Sequence, residues 1–152
     1  MNISIRKSLT LLSLLALVAA PIGASATSVI YGEPITINNP TPAPSDYFGN
    51  VSIDGNKFIV GSPLDDIGAT NAGSAYLFDA TTGALLRTLN NPTPEAVDAF
   101  GYSVSISGNK VLIGTPYDKT GAYEAGSAYL FDATTGALLQ TFNNPTPALY
   151  DS

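Results

Sequence analysis

The chain repeats itself, and the period limits its fold more than any other feature. The stretch Ala72 to Leu86 returns unchanged as Ala125 to Leu139, an offset of 53 residues. The next stretch, Arg87 to Pro94, returns as Gln140 to Pro147, with Gln for Arg and Phe for Leu. Upstream, Asn38 to Pro42 matches Asn90 to Pro94 at an offset of 52. The residue gained lies just after a Phe-Gly pair: Phe48-Gly49-Asn50-Val51 aligns with Phe100-Gly101-Tyr102-Ser103-Val104. A period of this size, rich in short apolar runs and turn residues, marks a repeat architecture in which each unit buries its faces against its neighbours.

Each period reads as four short strands. The first is Val51 to Ile53, or Ser103 to Ile106. Asp54-Gly55-Asn56 and Ser107-Gly108-Asn109 follow, and Gly with Asn supplies the positive φ that a tight hairpin needs. The second strand is Lys57 to Gly61, or Lys110 to Gly114, ended by Pro63 or Pro116 because proline cannot donate to a ladder. A longer loop leads to the third strand, Ser74 to Asp79 or Ser127 to Asp132. A Thr-Thr-Gly turn then opens the fourth, Ala84 to Leu89 or Ala137 to Phe142. No segment after the N-terminal region carries a sustained helical period.

Alternation along the strands predicts how the sheets pack. Tyr76 and Phe78 point one way and Ala75 and Leu77 the other, while Phe58 and Val60 oppose Ile59 and Gly61. Both faces of the central strands are therefore apolar, whereas a sandwich sheet shows one solvated face. A sheet buried on both faces needs a neighbour on each side. The expected fold is all-β, made of four-stranded antiparallel blades of a β-propeller, with an open solenoid or a two-sheet sandwich as the alternative. Closure takes about four to eight blades, so two full repeats with partial flanks predict an incomplete propeller. Further repeats, in cis or by self-association, are the expected partners of its open faces.

The ends and the charge narrow the setting. Arg6 and Lys7 precede an apolar run from Leu9 to Ala20, and Ala24-Ser25-Ala26 is a small-x-small site. This order predicts a Sec signal peptide over residues 1–26, cleaved after Ala26, and a secreted or periplasmic protein with no membrane insertion after cleavage. All 12 acidic residues lie beyond it, facing only Lys57, Arg87, Lys110 and Lys119. Four scattered cations do not track a phosphate backbone, so nucleic acid is excluded as a partner. There is no Cys, which removes disulfides and thiolate metal sites, and no His, which removes His-based catalysis. The chain reads as a non-enzyme.

Phe48-Gly49 followed by Gly61-Ser62-Pro63, and Phe100-Gly101 followed by Gly114-Thr115-Pro116, resemble the FG-GAP repeat of integrin α-subunit propellers and of many secreted bacterial proteins. The resemblance implies that Phe48 and Phe100 pack between blades and that Gly49, Gly101, Gly61 and Gly114 permit close backbone approach, with Pro63 and Pro116 completing the motif. Ser62 and Thr115 replace the family's Ala. It also implies cell-adhesion roles. The run Asp79 to Gly83 looks like the turn of quinoprotein-type propeller repeats, but the Trp usual in those is missing. Boundaries follow: residues 27–47 carry an outer closing strand, 48–99 and 100–150 are the two repeats, and 151–152 would begin a truncated third.

The loops Leu64 to Ala72 and Tyr117 to Ala125 hold the candidate sites, since there the repeats diverge most. Some FG-GAP blades bind Ca²⁺ through a D-x-D-x-D-G-type loop, and these loops lack that pattern. Asp65, Asp66 and Asp118 could still form a weak, water-rich Ca²⁺ site; otherwise Asp65 and Asp118 close Asx-turns after the proline. No other cofactor is expected. Tyr117, Asp118, Tyr123 and Glu124 form an aromatic, acidic loop suited to binding a protein or glycan surface, or else packing on its own blade. The expected function is a binding or scaffold module acting through blade loops. The alternatives are an accessory propeller region of a larger secreted hydrolase and a Ca²⁺-dependent adhesin.

Overall fold

The computed structural model describes residues 34–120 and 125–146. The expected signal peptide over residues 1–26, Tyr123, Glu124 and everything from residue 147 onward lie outside them. Within them β1 (Asn50–Asp54), β2 (Lys57–Ser62), β3 (Ser74–Asp79) and β4 (Leu85–Asn90) form one antiparallel sheet in that order. A second sheet repeats it with β5 (Ser103–Ser107), β6 (Lys110–Thr115), β7 (Ser127–Asp132) and β8 (Leu138–Asn143). The described residues contain no helix, and so none that could cross a membrane. These are the two expected blades, with the third strands ending where the alternation placed them.

Turn chemistry sets the register. Gly55 and Gly108 hold φ near +56° and +55° in the first hairpins, a conformation costly for any residue with a Cβ. Phe58 then pairs with Phe78 and Val60 with Tyr76, while Ile59 pairs with Leu77. The second sheet reproduces this with Val111 on Phe131 and Ile113 on Tyr129. In the last hairpin Leu77 pairs with Arg87 but Phe78 with Leu85, so Leu86 bulges; Leu139 does the same in the second blade.

The two faces of each sheet have separate roles. Ile59, Ala75, Leu77 and Leu89 form the back of the first sheet. They pack on the front of the second, where Ile106, Val111, Ile113, Tyr129 and Phe131 lie with Phe100. Burying each large side chain in this layer contributes about 1.5–3 kcal/mol, so this junction is the main hydrophobic core. The front of the first sheet, Val60, Tyr76 and Phe78, is covered instead by Phe48, Phe58 and Ile37. Phe48 meets Tyr76 and Phe78 at ring-centroid distances of 6.0 and 6.3 Å; Phe100 meets Tyr129 and Phe131 at 5.8 and 6.0 Å. The aromatic of each Phe-Gly pair thus sits on the third strand of its own blade.

The glycines explain how the blades come so close. A Cβ on Gly61 would lie 2.0 Å from the Gly101 carbonyl oxygen, and one on Gly101 would lie 2.5 Å from that of Ser74. The glycine after Phe100 and the glycine before Ser62-Pro63 therefore touch each other across the junction. Backbone hydrogen bonds fasten the same place: the Val97, Ala99 and Phe100 amides donate to the Thr70, Asn71 and Ala72 carbonyls at 2.9, 3.1 and 2.9 Å. Val97 and Ala99 pass through positive φ, 72° and 58°, to present those amides.

Candidate functional site

At the end of the sheets where β1 and β5 begin and β2 and β6 finish, the connections of the two blades surround a cleft of about 670 Å³. Its walls are Tyr47 and Phe48 from one blade, Tyr102 and Tyr117 from the other, and Pro63 with Leu64 between them. Tyr47, Tyr102 and Tyr117 are exposed. Their positions are held by the backbone. Tyr47 adopts φ 53°, and the Tyr102 amide closes a turn on the Ala99 carbonyl at 3.1 Å. The Asn50 side-chain amide donates to the Gly101 and Tyr102 carbonyls at 3.3 and 2.8 Å, tying the cleft's two sides together. Three phenols on a fixed frame offer flat apolar faces with polar tips, a combination enriched where proteins bind partners.

Next in sequence to the cleft residues Leu64 and Tyr117, two buried carboxylates are committed to structure. Asp65 accepts hydrogen bonds from the Tyr76 hydroxyl, from Thr41 Oγ1 at 3.0 Å and from the Ile67 amide at 3.0 Å. Asp118 accepts from the Tyr129 hydroxyl and from the Thr120 amide at 2.5 Å. The bonds to Ile67 and Thr120 are the Asx-turns that the proline context suggests. Burial, reinforced by the hydrogen bond to Asp65, pushes the Tyr76 phenol up to about 12. Burial and Asp118 raise that of Tyr129 in the same way. The Asn-Pro-Thr-Pro segment that precedes each blade now has a role. Asn39 and Asn91 donate to Asp46 and Asp98 at 2.7 and 2.8 Å, and Thr41 and Thr93 reach the hydroxyls of Tyr76 and Tyr129.

The remaining candidates separate by position. Asp66 is exposed and accepts from the Asn71 amide at 2.8 Å. Its counterpart Lys119 folds over Asp98 instead, with Nζ 3.9 Å from Oδ1 and 3.7 Å from Glu95. Burial foremost raises the Asp98 carboxyl above its ordinary value. Among the described residues no three His, Cys, Asp or Glu side chains gather as a metal site would require. Ca²⁺ takes six or more oxygens, and Asp65 and Asp118 already accept three and two hydrogen bonds, so neither buried carboxylate is presented freely to a cation. Of the candidate binding residues, Tyr117 lines the cleft and Asp118, next to it in sequence, is buried. Tyr47 and Tyr102 were missed by sequence reasoning. The signal was there: Tyr47 aligns with Ala99, and Tyr102 is the residue gained between repeats.

The FG-GAP repeat family model matches residues 40–78 and 93–131 of this chain. No curated protein matches its sequence. Among solved structures it is similar to BamB from Moraxella catarrhalis, at 23% identity and a TM-score of 0.44, over 66% of this chain and 24% of that one. It is similar to a europium-containing methanol dehydrogenase at 16% identity and a TM-score of 0.46, over 64% of this chain and 15% of that one. The computationally designed Ika4 protein gives 15% identity and a TM-score of 0.30, over 78% and 84%. The chain thus spans about a quarter or less of the first two.

Proposed function

From the premise that the chain belongs to the FG-GAP repeat family, with a match in each blade, we propose that it is a secreted or periplasmic binding module, not an enzyme. It holds a protein or glycan surface in the tyrosine-walled cleft between its blades. The observation that carries this reading is the cleft itself, where three exposed tyrosines converge from connections at which the repeats differ. Residues shared by both blades hold the fold. Tyr47, Tyr102 and Tyr117 are not shared, and exposed rings cost solvation that a bound ligand would return. The cleft volume falls within the range of about 300–1,000 Å³ usual for ligand sites. Its rim is uncharged, which suits stacking against a sugar ring or an apolar peptide face.

The test is a Tyr47→Ala/Tyr102→Ala variant beside the unaltered protein. Both are applied to an array of neutral oligosaccharides and, after photo-crosslinking, to the extracellular proteins of the source cells. Both side chains are exposed, so the variant keeps its fold. Signals present in the unaltered protein and lost in the variant support the cleft, and the array and the crosslinks separate glycan from protein. A variant that retains every signal removes the proposal.

A further inference from the structure

The connection from β6 to β7 carries Tyr117, one wall of the cleft, and two residues later it carries a cation. Lys119 Nζ donates to the Ala96 carbonyl at 3.1 Å and lies 3.7 Å from Glu95 Oε2 and 3.9 Å from Asp98 Oδ1. These are the only ion pairs among the described residues. The next residue makes the same reach, since Thr120 Oγ1 and Thr93 Oγ1 are 3.2 Å apart. Both contacts cross from residues 117–120 to residues 93–98, the segment that leads into Ala99 and Tyr102 on the same cleft.

The first blade has no such tie. Asp66 and Ile67 stand there in place of Lys119 and Thr120. Asp66 is exposed and accepts from the Asn71 amide of its own loop at 2.8 Å, and Ile67 has no hydroxyl. Asp46, the counterpart of Asp98, accepts from Asn39 and from the Ala43 amide, both at 2.7 Å. Asp98 keeps the equivalent pair on Oδ2, from Asn91 at 2.8 Å and the Glu95 amide at 2.7 Å. Its Oδ1 is buried without a hydrogen bond and faces the Lys119 ammonium. The first blade builds the same fold without a cation, so the tie at Lys119 is free for another task.

Resting on the cleft reading above, we propose that Lys119 is a positioning residue of the tyrosine cleft. It straps the arm that bears Tyr117 to the arm that bears Ala99 and Tyr102, and so fixes the spacing between them. Without the strap the Tyr117 arm is tied to the other by the Thr120–Thr93 contact and by the Tyr117 amide on the Asp98 carbonyl, a bond of 3.4 Å that is longer than usual.

The strap also answers to acid. The charged and titratable groups around Asp98 are Glu95 on its own segment, Lys119 and Asp118 on the β6–β7 connection, and the Tyr129 phenol of β7 bonded to Asp118. Burial foremost, and then the Asp118 charge, raise the Asp98 carboxyl, while the Glu95 amide, Lys119 and Asn91 work against them. A proton taken up by Asp98 relieves a buried charge, so it does not by itself unfold the blade. What it removes is the attraction that holds Lys119. The strap opens while the sheets stay closed, and the cleft is ordered at neutral pH and loose in acid.

Native-state hydrogen exchange on the whole protein, read residue by residue and with no ligand present, tests this. The reporters are the Tyr117 amide, bonded to the Asp98 carbonyl, and the Thr120 amide, bonded to Asp118. The reference is the Leu64 amide, which makes the equivalent bond to the Asp46 carbonyl in the first blade. In Lys119→Met, which keeps an aliphatic stem, protection of Tyr117 and Thr120 falls at least about fivefold relative to Leu64. Lys119→Arg restores it, because a guanidinium can meet the same oxygens. In the unaltered protein the two reporters lose protection as pH falls through the raised Asp98 value, and Lys119→Met shows no such step. Unchanged protection in Lys119→Met overturns the proposal. So does a loss that Leu64 shares equally, which would make Lys119 a general prop of the fold. A flat profile in acid for the unaltered protein, a measurement that needs no variant, overturns the acid release. Because no ligand takes part, failure here is distinct from failure of the cleft, which the tyrosine variant tests.

Discussion

Replacing Gly61 by alanine places a methyl carbon 2.0 Å from the Gly101 carbonyl oxygen and 2.9 Å from its carbon. Carbon and oxygen approach no closer than about 3.3 Å without strain, so the two backbones must part by more than about 1 Å. Neither side can yield cheaply, because Gly61 is locked in β2 and Gly101 is fastened beside the Thr70–Ala72 hydrogen bonds. Opening a gap of about 0.5–1 Å forfeits roughly a quarter to a half of each van der Waals contact across it, and a buried side chain makes about 40–60 such contacts of about 0.1–0.2 kcal/mol. If half of the contacts of Phe100 face the first blade, its loss alone is about 0.5–3 kcal/mol. Ile106 and the Asn50 amide lie along the same seam, which brings the expected cost to about 2–4 kcal/mol, a large part of a typical total of about 5–15 kcal/mol. Urea unfolding at low concentration, followed by tyrosine fluorescence because the chain has no Trp, measures it. Gly49→Ala is the control: the same residue type in the same motif, with open space around it and an expected change within about 0.5 kcal/mol. Equal stability of the two variants would refute the claim that the paired glycines set the distance between blades.

Tyr76→Phe removes a donor from the buried Asp65 carboxylate and should cost about 1.5–3 kcal/mol, with Tyr129→Phe costing a similar amount through Asp118. In an alkaline absorbance titration Tyr76 ionises only near pH 12; its stability contribution is complete below pH 10 and lost as pH rises through that raised value. Asp79 and Asp132 are held below 3.8, chiefly by the Thr82 and Thr135 amides. Their contribution is therefore present above pH 3.8 and lost as pH falls through the lower folded values. The Asp79→Asn/Asp132→Asn variant, which keeps the Oδ1 acceptor for the turn amides but loses the Oδ2 acceptor for Asn56 and Asn109, should be less stable near neutral pH and show a flatter acid limb in melts between pH 2 and 5. Asp98 has the opposite sign: its raised value gives stability that is present below pH 3.8 and lost as pH climbs. Millimolar Ca²⁺ should leave the melting temperature unchanged, since a ligand of the folded state raises it and the carboxylates concerned are already occupied. A clear upward shift would overturn that account of Asp65 and Asp118.

Strand positions were legible because the evidence for them is local. Period-two alternation, Gly-Asn turns and stopping prolines each act within a few residues, and β3 and β7 end where those signals put them. The opposed faces of Tyr76 and Leu77 could likewise be read, and the packing of both follows. What stayed hidden depends on residues distant in sequence. Gly61 and Gly101 each looked like a place for close approach, but nothing in the chain says that each is what the other approaches. Asp65 read as a turn residue with a cation ligand as the lesser alternative, and its bond to Tyr76 went unseen because Tyr76 counts in sequence as core. The cleft was half visible: Tyr117 stood out in a divergent loop, whereas Tyr47 and Tyr102 adjoin the Phe-Gly pairs and were masked by the motif beside them.

The pairing of Gly61 with Gly101 means that the unit of packing and the unit of repetition are out of phase. A blade runs from Phe-Gly to the end of its fourth strand, but the seam that joins blades takes its halves from two successive copies of the motif. Removing or adding one whole period anywhere between equivalent points restores every seam, because the residues that reach the next junction are the same as those taken away. A length change that shifts either glycine out of the seam leaves a methyl-bearing residue where two backbones must touch, whereas one taken up beside it, as Tyr102 is, leaves the seam intact. Tandem duplication is thus a low-risk way for such a gene to vary: the number of blades can change while the chemistry of each join does not.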